Sequence, residues 1–220
     1  MTTVAEVLGA LERVRDPELD ESLVELGFVA AVDVDGGAVT ARLRLPTYFC
    51  APNFAYLMVA DARAAVEAVP GVERARIVLE EHFTADAINA AVDRDAGFVD
   101  AFPEEAADEL DELRTLFRRK ALLARQGRVC RSLPDGAIAG MRLGELEGDD
   151  AERCRELRRE LGIDAGPDAA AFVTAAGAAV TAEDVPRFVR LTRLTSTSLE
   201  GNAGLCRSLL KTRYDLEVAS

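Results

Sequence analysis

Two runs of alternating apolar and polar residues flank Asp35-Gly36-Gly37, and this segment restricts the fold more than any other. The first run covers residues 28–34; in the second, Val39, Ala41, Leu43 and Leu45 alternate with Thr40, Arg42 and Arg44. A period of two places the apolar set on one face of a strand, and a Gly-rich turn between two such runs makes a β-hairpin. Its apolar face needs a cover, and helical segments lie on both sides of it in the chain. Before it, Val4, Val7, Leu8, Leu11 and Val14 recur at helical spacing behind Thr3, with Glu6 placed for a capping box and Asp16-Pro17 as the stop. After it, Pro52 opens a long helix with Phe54, Leu57, Met58, Ala62, Ala65, Val66 and Val69 on one face, closed by Pro70-Gly71. Val72, Ala75, Ile77 and Leu79 supply a third short strand, and Thr84 heads a brief helix reaching Val92. The order helix, strand, strand, helix, strand, helix predicts a small α/β (α+β) domain.

Beyond Asp93 the texture changes. A charged helix is expected over residues 104–125, with Leu110, Leu113, Leu116 and Phe117 on one face, and Gly and Pro punctuate 127–148. Helices are expected over 150–161, from about residue 183 and from about residue 198, with a hairpin-like segment over 171–181 around Gly177. A chain of 220 residues exceeds the roughly 100–150 usual for one domain. We therefore divide it into an α/β domain, residues 1–98, and a mainly helical C-terminal extension, residues 99–220. The extension has amphipathic helices and no catalytic constellation, as a client-docking module would.

The formal charge is −13, with 8 Lys and Arg against 18 Asp and Glu in residues 1–100 and 18 against 21 in the remainder. Binding to nucleic-acid backbones draws on clustered cations, so that class of partner is excluded. The basic residues Arg118, Arg119, Lys120 and Arg125, like Arg153, Arg155, Arg158 and Arg159, alternate with acids; they read as solvated helix faces or as a docking surface. The start carries no secretory apolar segment, and no apolar run approaches the ~18 residues of a membrane span. Four cysteines without a Cys-x-x-Cys pair predict a reducing cytoplasm, no disulfides and no preassembled zinc or iron-sulfur site.

Any site must then be assembled by topology. The hairpin puts the start of the first strand and the end of the second at one sheet edge, and a right-handed crossover returns the end of the third strand to it. Asp16, Glu18, Glu25, Cys50, Glu81 and His82 converge there. Cys50 precedes Pro52 at a helix entrance, where exposed N–H groups and the dipole favour thiolate, the form needed for iron binding or for nucleophilic attack. The competing reading is a small buried cysteine filling the corner. Asp16 and Glu18 are ligands or simply a solvated turn, and His82, the sole histidine, is a ligand beside the thiolate or a packed residue. Glu25, beside Gly27, at most supports the site. Cys130, Cys154 and Cys206 read as core residues.

Three ordered matches go further than spacing. They are Val14-Arg15-Asp16-Pro17-Glu18-Leu19 with Leu23-Val24-Glu25-Leu26-Gly27-Phe28-Val29, then Leu45-Pro46-Thr47-Tyr48-Phe49-Cys50-Ala51-Pro52, then Val69-Pro70-Gly71-Val72. Together they cover about residues 4–95, and this part resembles the iron-sulfur cluster assembly, or metal-sulfur cluster biosynthetic, family. It departs from the family where Ala51 separates the cysteine from the proline and Phe49 stands in place of the usual glycine. The Tyr48-Phe49-Cys50-Ala51-Pro52-Asn53 variant is similar to members associated with bacterial multicomponent di-iron monooxygenases. The resemblance implies a maturation factor or metallochaperone, not an enzyme, that assists insertion of iron or an iron-sulfur cluster into a client metalloenzyme, such as a monooxygenase subunit. It makes Cys50 the essential ligand, with His82, Asp16 and Glu18 as further candidates and Glu25, Thr47 and Glu81 as supporting residues. One thiolate cannot saturate iron, so a homodimer, the client or a small thiol must supply the rest. Two alternatives stand beside this: a metal-free folding adaptor for the same client, and a thiol enzyme using Cys50 with His82 as base.

Overall fold

A computed structural model of the chain describes residues 2–103 and 110–216. The described residues divide into two units. One takes those up to Leu110 together with those from Ala203 onward; the other spans Asp111–Asn202.

In the first unit, α1 (Val4–Leu11), β1 (Val29–Asp35), β2 (Ala38–Arg44), α2 (Pro52–Glu67), β3 (Arg74–Glu80), α3 (Ala85–Asp93) and the single turn α4 (Phe98–Ala101) follow in chain order. The capping box forms as the sequence requires: the Thr3 hydroxyl accepts from the Glu6 backbone N–H, and the Glu6 carboxylate accepts from the Thr3 N–H at 2.8 Å. The sheet order is β1-β2-β3, with β1 antiparallel and β3 parallel to β2. In β2 and β3 the alternation buries Val39, Ala41, Leu43, Ala75, Ile77 and Leu79. These residues share one core with Val7 and Leu11 of α1, Met58, Val59 and Val66 of α2, and Ile88 of α3. On the other strand positions Arg42 reaches across to Asp33 at 3.3 Å and Glu80 at 3.7 Å. The fold is thus α+β with a three-stranded mixed sheet and a helical C-terminal part.

The second unit holds α5 (Asp111–Cys130), the short α6 (Asp135–Ile138), a 3-10 turn Leu143–Glu145 and α7 (Asp149–Glu160). The charged helix expected from residue 104 is described only from Asp111; residues 104–109 lie outside the described residues. Around Gly177 the hairpin-like segment closes with one antiparallel bridge, Val173 to Ala179. The Arg158 guanidinium is fully buried and donates to the carbonyls of Asp164, Ala170 and Ala171, which fastens this irregular chain onto α7.

Two helices expected at the C-terminal end prove to be one, α8 (Val185–Tyr214), of 30 residues. The Thr195-Ser196-Thr197-Ser198 run does not break it. Hydroxyls on the helix turn back onto preceding carbonyls, Thr192 to Phe188 at 2.9 Å and Thr195 to Leu191 at 2.9 Å, sharing acceptors that the helix already uses while the helix continues through them. The assignment of everything after residue 98 to the extension also differs from what is observed. From Ala203 on, α8 belongs with the first unit, where Ala203 and Leu210 are core residues and Cys206, Tyr214 and Leu216 pack against that core. Gly27, at φ +76°, makes room for it: a β-carbon there would stand 3.2 Å from the Leu210 Cδ2.

Candidate functional site

The parallel register ends with Arg44 opposite Glu80, so the loops that follow β2 and β3 leave the same sheet edge side by side. They are joined there, with the Phe83 N–H donating to the Tyr48 carbonyl at 3.2 Å. The antiparallel partner brings the start of β1 to the same edge, where the Arg44 N–H bonds the Phe28 carbonyl at 2.8 Å.

Cys50 lies in the β2–α2 loop, half-buried and free, one residue before the Ala51 N-cap and two before Pro52 at the helix start. The Thr47 hydroxyl is 3.3 Å from its Sγ, and the Phe49 N–H donates to that hydroxyl at 3.2 Å. His82, buried, bonds the Cys50 main chain: its Nε2 is 2.7 Å from the carbonyl oxygen. Its Nδ1 meets the Thr84 N–H at 3.3 Å and the Thr84 hydroxyl at 3.0 Å. A carbonyl only accepts and a backbone N–H only donates, so Nε2 carries the proton and Nδ1 the lone pair. Burial lowers the pKa of His82, helped by the Arg213 charge and opposed by the carbonyl bond. Both nitrogens are thereby occupied. As placed, His82 has no lone pair for a metal and cannot take the Cys50 proton; it positions the loop. Thr84, expected as a side-chain cap of α3, makes no such bond because its hydroxyl serves His82.

Asp16 is 7% exposed and closes its turn by accepting at Oδ1 from the N–H groups of Glu18 at 2.8 Å and Leu19 at 2.9 Å. Desolvation outweighs these bonds and, with the neighbouring Glu18 and Glu21 charges, raises its pKa to about 6. Glu18 is half-buried, and Glu25 lies exposed. Glu81, at φ +48°, pairs with Arg213 of α8 at 3.3 Å.

Sequence reasoning did not anticipate the surroundings of the thiol. Tyr48, Phe49 and Phe83 are 46%, 77% and 47% exposed yet touch one another, with ring centroids 5.1 to 6.2 Å apart. Arg213 reaches the edge from α8, donating to the carbonyls of Leu45 at 3.1 Å and Glu81 at 2.5 Å. Cys206 of the same helix is half-buried, and burial followed by the charges of Asp16, Cys50 and Glu18 pushes its thiol up to about 11. Only the spacing of residues 203, 206, 207, 210, 213 and 214 along one helix face hinted at this. Among the described residues no three His, Cys, Asp or Glu side chains group closely enough to hold a metal ion, and no helix is long and apolar enough to cross a membrane.

A small α+β domain presenting one loop cysteine at its sheet edge defines a class, and comparison with known proteins places it. The family described as "Iron-sulfur cluster assembly protein" matches residues 4–77. An "Iron-sulfur cluster carrier protein" of Synechocystis is 40% identical over 77 residues, 35% of this chain and 21% of that protein. An uncharacterised protein of Methanocaldococcus jannaschii is 33% identical over 90 residues, 40% of this chain and 93% of its own length. The chain belongs to the iron-sulfur cluster assembly protein family. It spans about a fifth of the cyanobacterial relative, and the matched residues fall within the first unit.

Proposed function

We propose that this protein binds an iron-sulfur cluster, or the iron for one, as cargo on Cys50 and passes it to a client metalloenzyme. The observation that carries the reading is the presentation of Cys50: a half-exposed thiol in a loop fixed from two sides, by the Thr47 hydroxyl at the sulfur and by His82 at the carbonyl. Soft thiolate is the ligand such cargo requires, and a loop held in advance loses little entropy on binding it. Among the described residues the ligand set is incomplete, which suits a carrier: cargo bound only partly by the carrier can be taken over by a receiver. The exposed rings of Tyr48, Phe49 and Phe83 beside the thiol give the receiver a contact, since clustered apolar surface of this kind marks interaction sites. A di-iron monooxygenase subunit is the client we favour, on the form of the loop sequence, with a second copy of the chain or a small thiol filling the remaining positions meanwhile. The four free cysteines suit a reducing cytoplasm.

The test is anaerobic reconstitution with ferrous iron and sulfide, followed by iron and acid-labile sulfide analysis after desalting. The wild type should retain both and Cys50→Ser neither. The metal-free adaptor is the second reading, because no metal-holding group forms among the described residues. It is preferred if the wild type retains nothing while still binding its client.

A further inference from the structure

The two loops that build the site are tied to each other directly: the Phe83 N–H donates to the Tyr48 carbonyl, and the His82 ring to the Cys50 carbonyl. A further tie comes from elsewhere in the chain. Arg213, in the last turn of α8, donates through Nη1 to the Leu45 carbonyl at 3.1 Å and through Nη2 to the Glu81 carbonyl at 2.5 Å. The Glu81 carboxylate lies 3.3 Å from the same Nη2. Leu45 opens the loop that carries Cys50, and Glu81 opens the loop that carries His82. One guanidinium therefore spans the first residues of both loops.

We propose that Arg213 is a positioning residue for Cys50: its two-nitrogen fork sets the spacing of the two loops, and with it the bond from His82 to the Cys50 carbonyl. The inference rests on the carrier reading of Cys50 and extends the site beyond residues 4–77, which the family matches. The helix delivers this side chain from a fixed backbone. Leu210, one turn earlier, is buried in the core of the first unit against Gly27, and Tyr214 packs on that core. The guanidinium is itself held: the side chain is 20% exposed and lies 5.0 Å from the centroid of the Tyr214 ring, which the guanidinium of Arg44 at the end of β2 also approaches to 5.0 Å. Glu81, at φ +48°, occupies the left-handed region, where a residue with a β-carbon persists only if its surroundings hold it. Arg213 holds both its carbonyl and its carboxylate. A lysine could not serve in the same way, because one ammonium on a flexible stem lacks the rigid fork that fixes two acceptors at a set distance.

The test uses the full-length chain without metal and reads two quantities, the rate of Cys50 alkylation by iodoacetamide, followed by peptide mapping, and the imidazole ¹⁵N chemical shifts of His82, the sole histidine. The wild type should show a protonated Nε2 and an unprotonated Nδ1. In Arg213→Ala the alkylation should quicken by about fivefold or more, as the loss of a hydrogen-bonded tie implies, and the two ¹⁵N shifts should move toward each other as the tautomer preference weakens. Arg213→Lys keeps the charge without the fork and should resemble Arg213→Ala. Arg207→Ala removes the pair that α8 makes with Glu21 and should leave both readouts at wild-type values. Wild-type values in Arg213→Ala, full rescue by Arg213→Lys, or an equal effect of Arg207→Ala would each overturn the proposal. Should neither Arg213 variant fold, side-chain ¹⁵N spectra of the wild type decide: a guanidinium held at both ends gives two separate Nη signals for Arg213, and one averaged signal overturns the clamp. Because these readouts need no metal, failure of the wild type to retain iron and sulfide on reconstitution would overturn the carrier reading alone.

Discussion

Asp16 offers a stability test that needs no metal. Its carboxyl is 7% exposed and its pKa is raised from 3.8 to about 6, desolvation being the first cause. A folded-state pKa above the unfolded one means that the folded state prefers the proton. The resulting stability is fully present below the unfolded pKa and is lost as pH rises through about 6. At about 1.4 kcal/mol for each pKa unit, the ionised carboxylate costs the fold about 3 kcal/mol at pH 8 and less than about 1 kcal/mol at pH 4. Asp16→Asn removes the charge while its amide oxygen can still accept from the Glu18 and Leu19 N–H groups. The variant should therefore exceed the wild type by about 3 kcal/mol at pH 8, with the difference shrinking below about 1 kcal/mol at pH 4. The chain has no tryptophan, and its three tyrosines, Tyr48, Tyr56 and Tyr214, all lie in the first unit. Tyrosine fluorescence during urea unfolding thus reports on that unit alone. A difference between variant and wild type that does not change from pH 4 to pH 8 would refute the reasoning, because it would mean that Asp16 is not ionised at a desolvation cost.

Three further outcomes are expected. His82→Ala removes the donor to the Cys50 carbonyl, at a cost of about 1–3 kcal/mol if that acceptor is left unpaired; iodoacetamide should then alkylate Cys50 faster than in the wild type, and an unchanged rate would remove His82 from the positioning role. Gly127→Ala in α5 would set a β-carbon 2.4 Å from the Thr192 carbonyl oxygen of α8, a backbone atom that cannot rotate away; destabilisation of about 1–3 kcal/mol or more is expected from urea unfolding followed by circular dichroism. Phe49→Ala removes a ring that is 77% exposed, so thermal melting should not shift beyond about 0.5 kcal/mol of stability while binding to the client falls in pull-down.

The hairpin, the crossover and the helix capped by Thr3 were legible in the sequence because each rests on local periodicity and turn chemistry. The meeting of Cys50 with His82 followed from topology: one antiparallel and one parallel pairing carry three chain ends to one edge. What the side chains do there was not legible. His82 and Cys50 suggested a ligand pair or a dyad, yet the bond runs from the ring to a backbone carbonyl, and sequence does not distinguish a main-chain from a side-chain partner. The helices expected from about residues 183 and 198 prove continuous, and the Thr195 and Ser196 hydroxyls between them bond back along the helix. The return of α8 to the first unit depends on contacts such as Arg213 with Glu81, 132 residues apart, for which a single sequence holds no local signal. Cys206, read as a core residue from its apolar neighbours along the helix, packs half-buried against the core of the first unit.

The measurement that bears most directly on the central claim is cluster transfer. Anaerobically reconstituted wild-type protein, freed of loose iron and sulfide, is mixed with an apo-ferredoxin acceptor, and the acceptor's visible circular dichroism is followed with a chelator present to intercept released iron. The wild type should convert the acceptor in the chelator's presence, and Cys50→Ser should not. Equal conversion by the Cys50→Ser variant, or conversion that the chelator abolishes, would contradict the account.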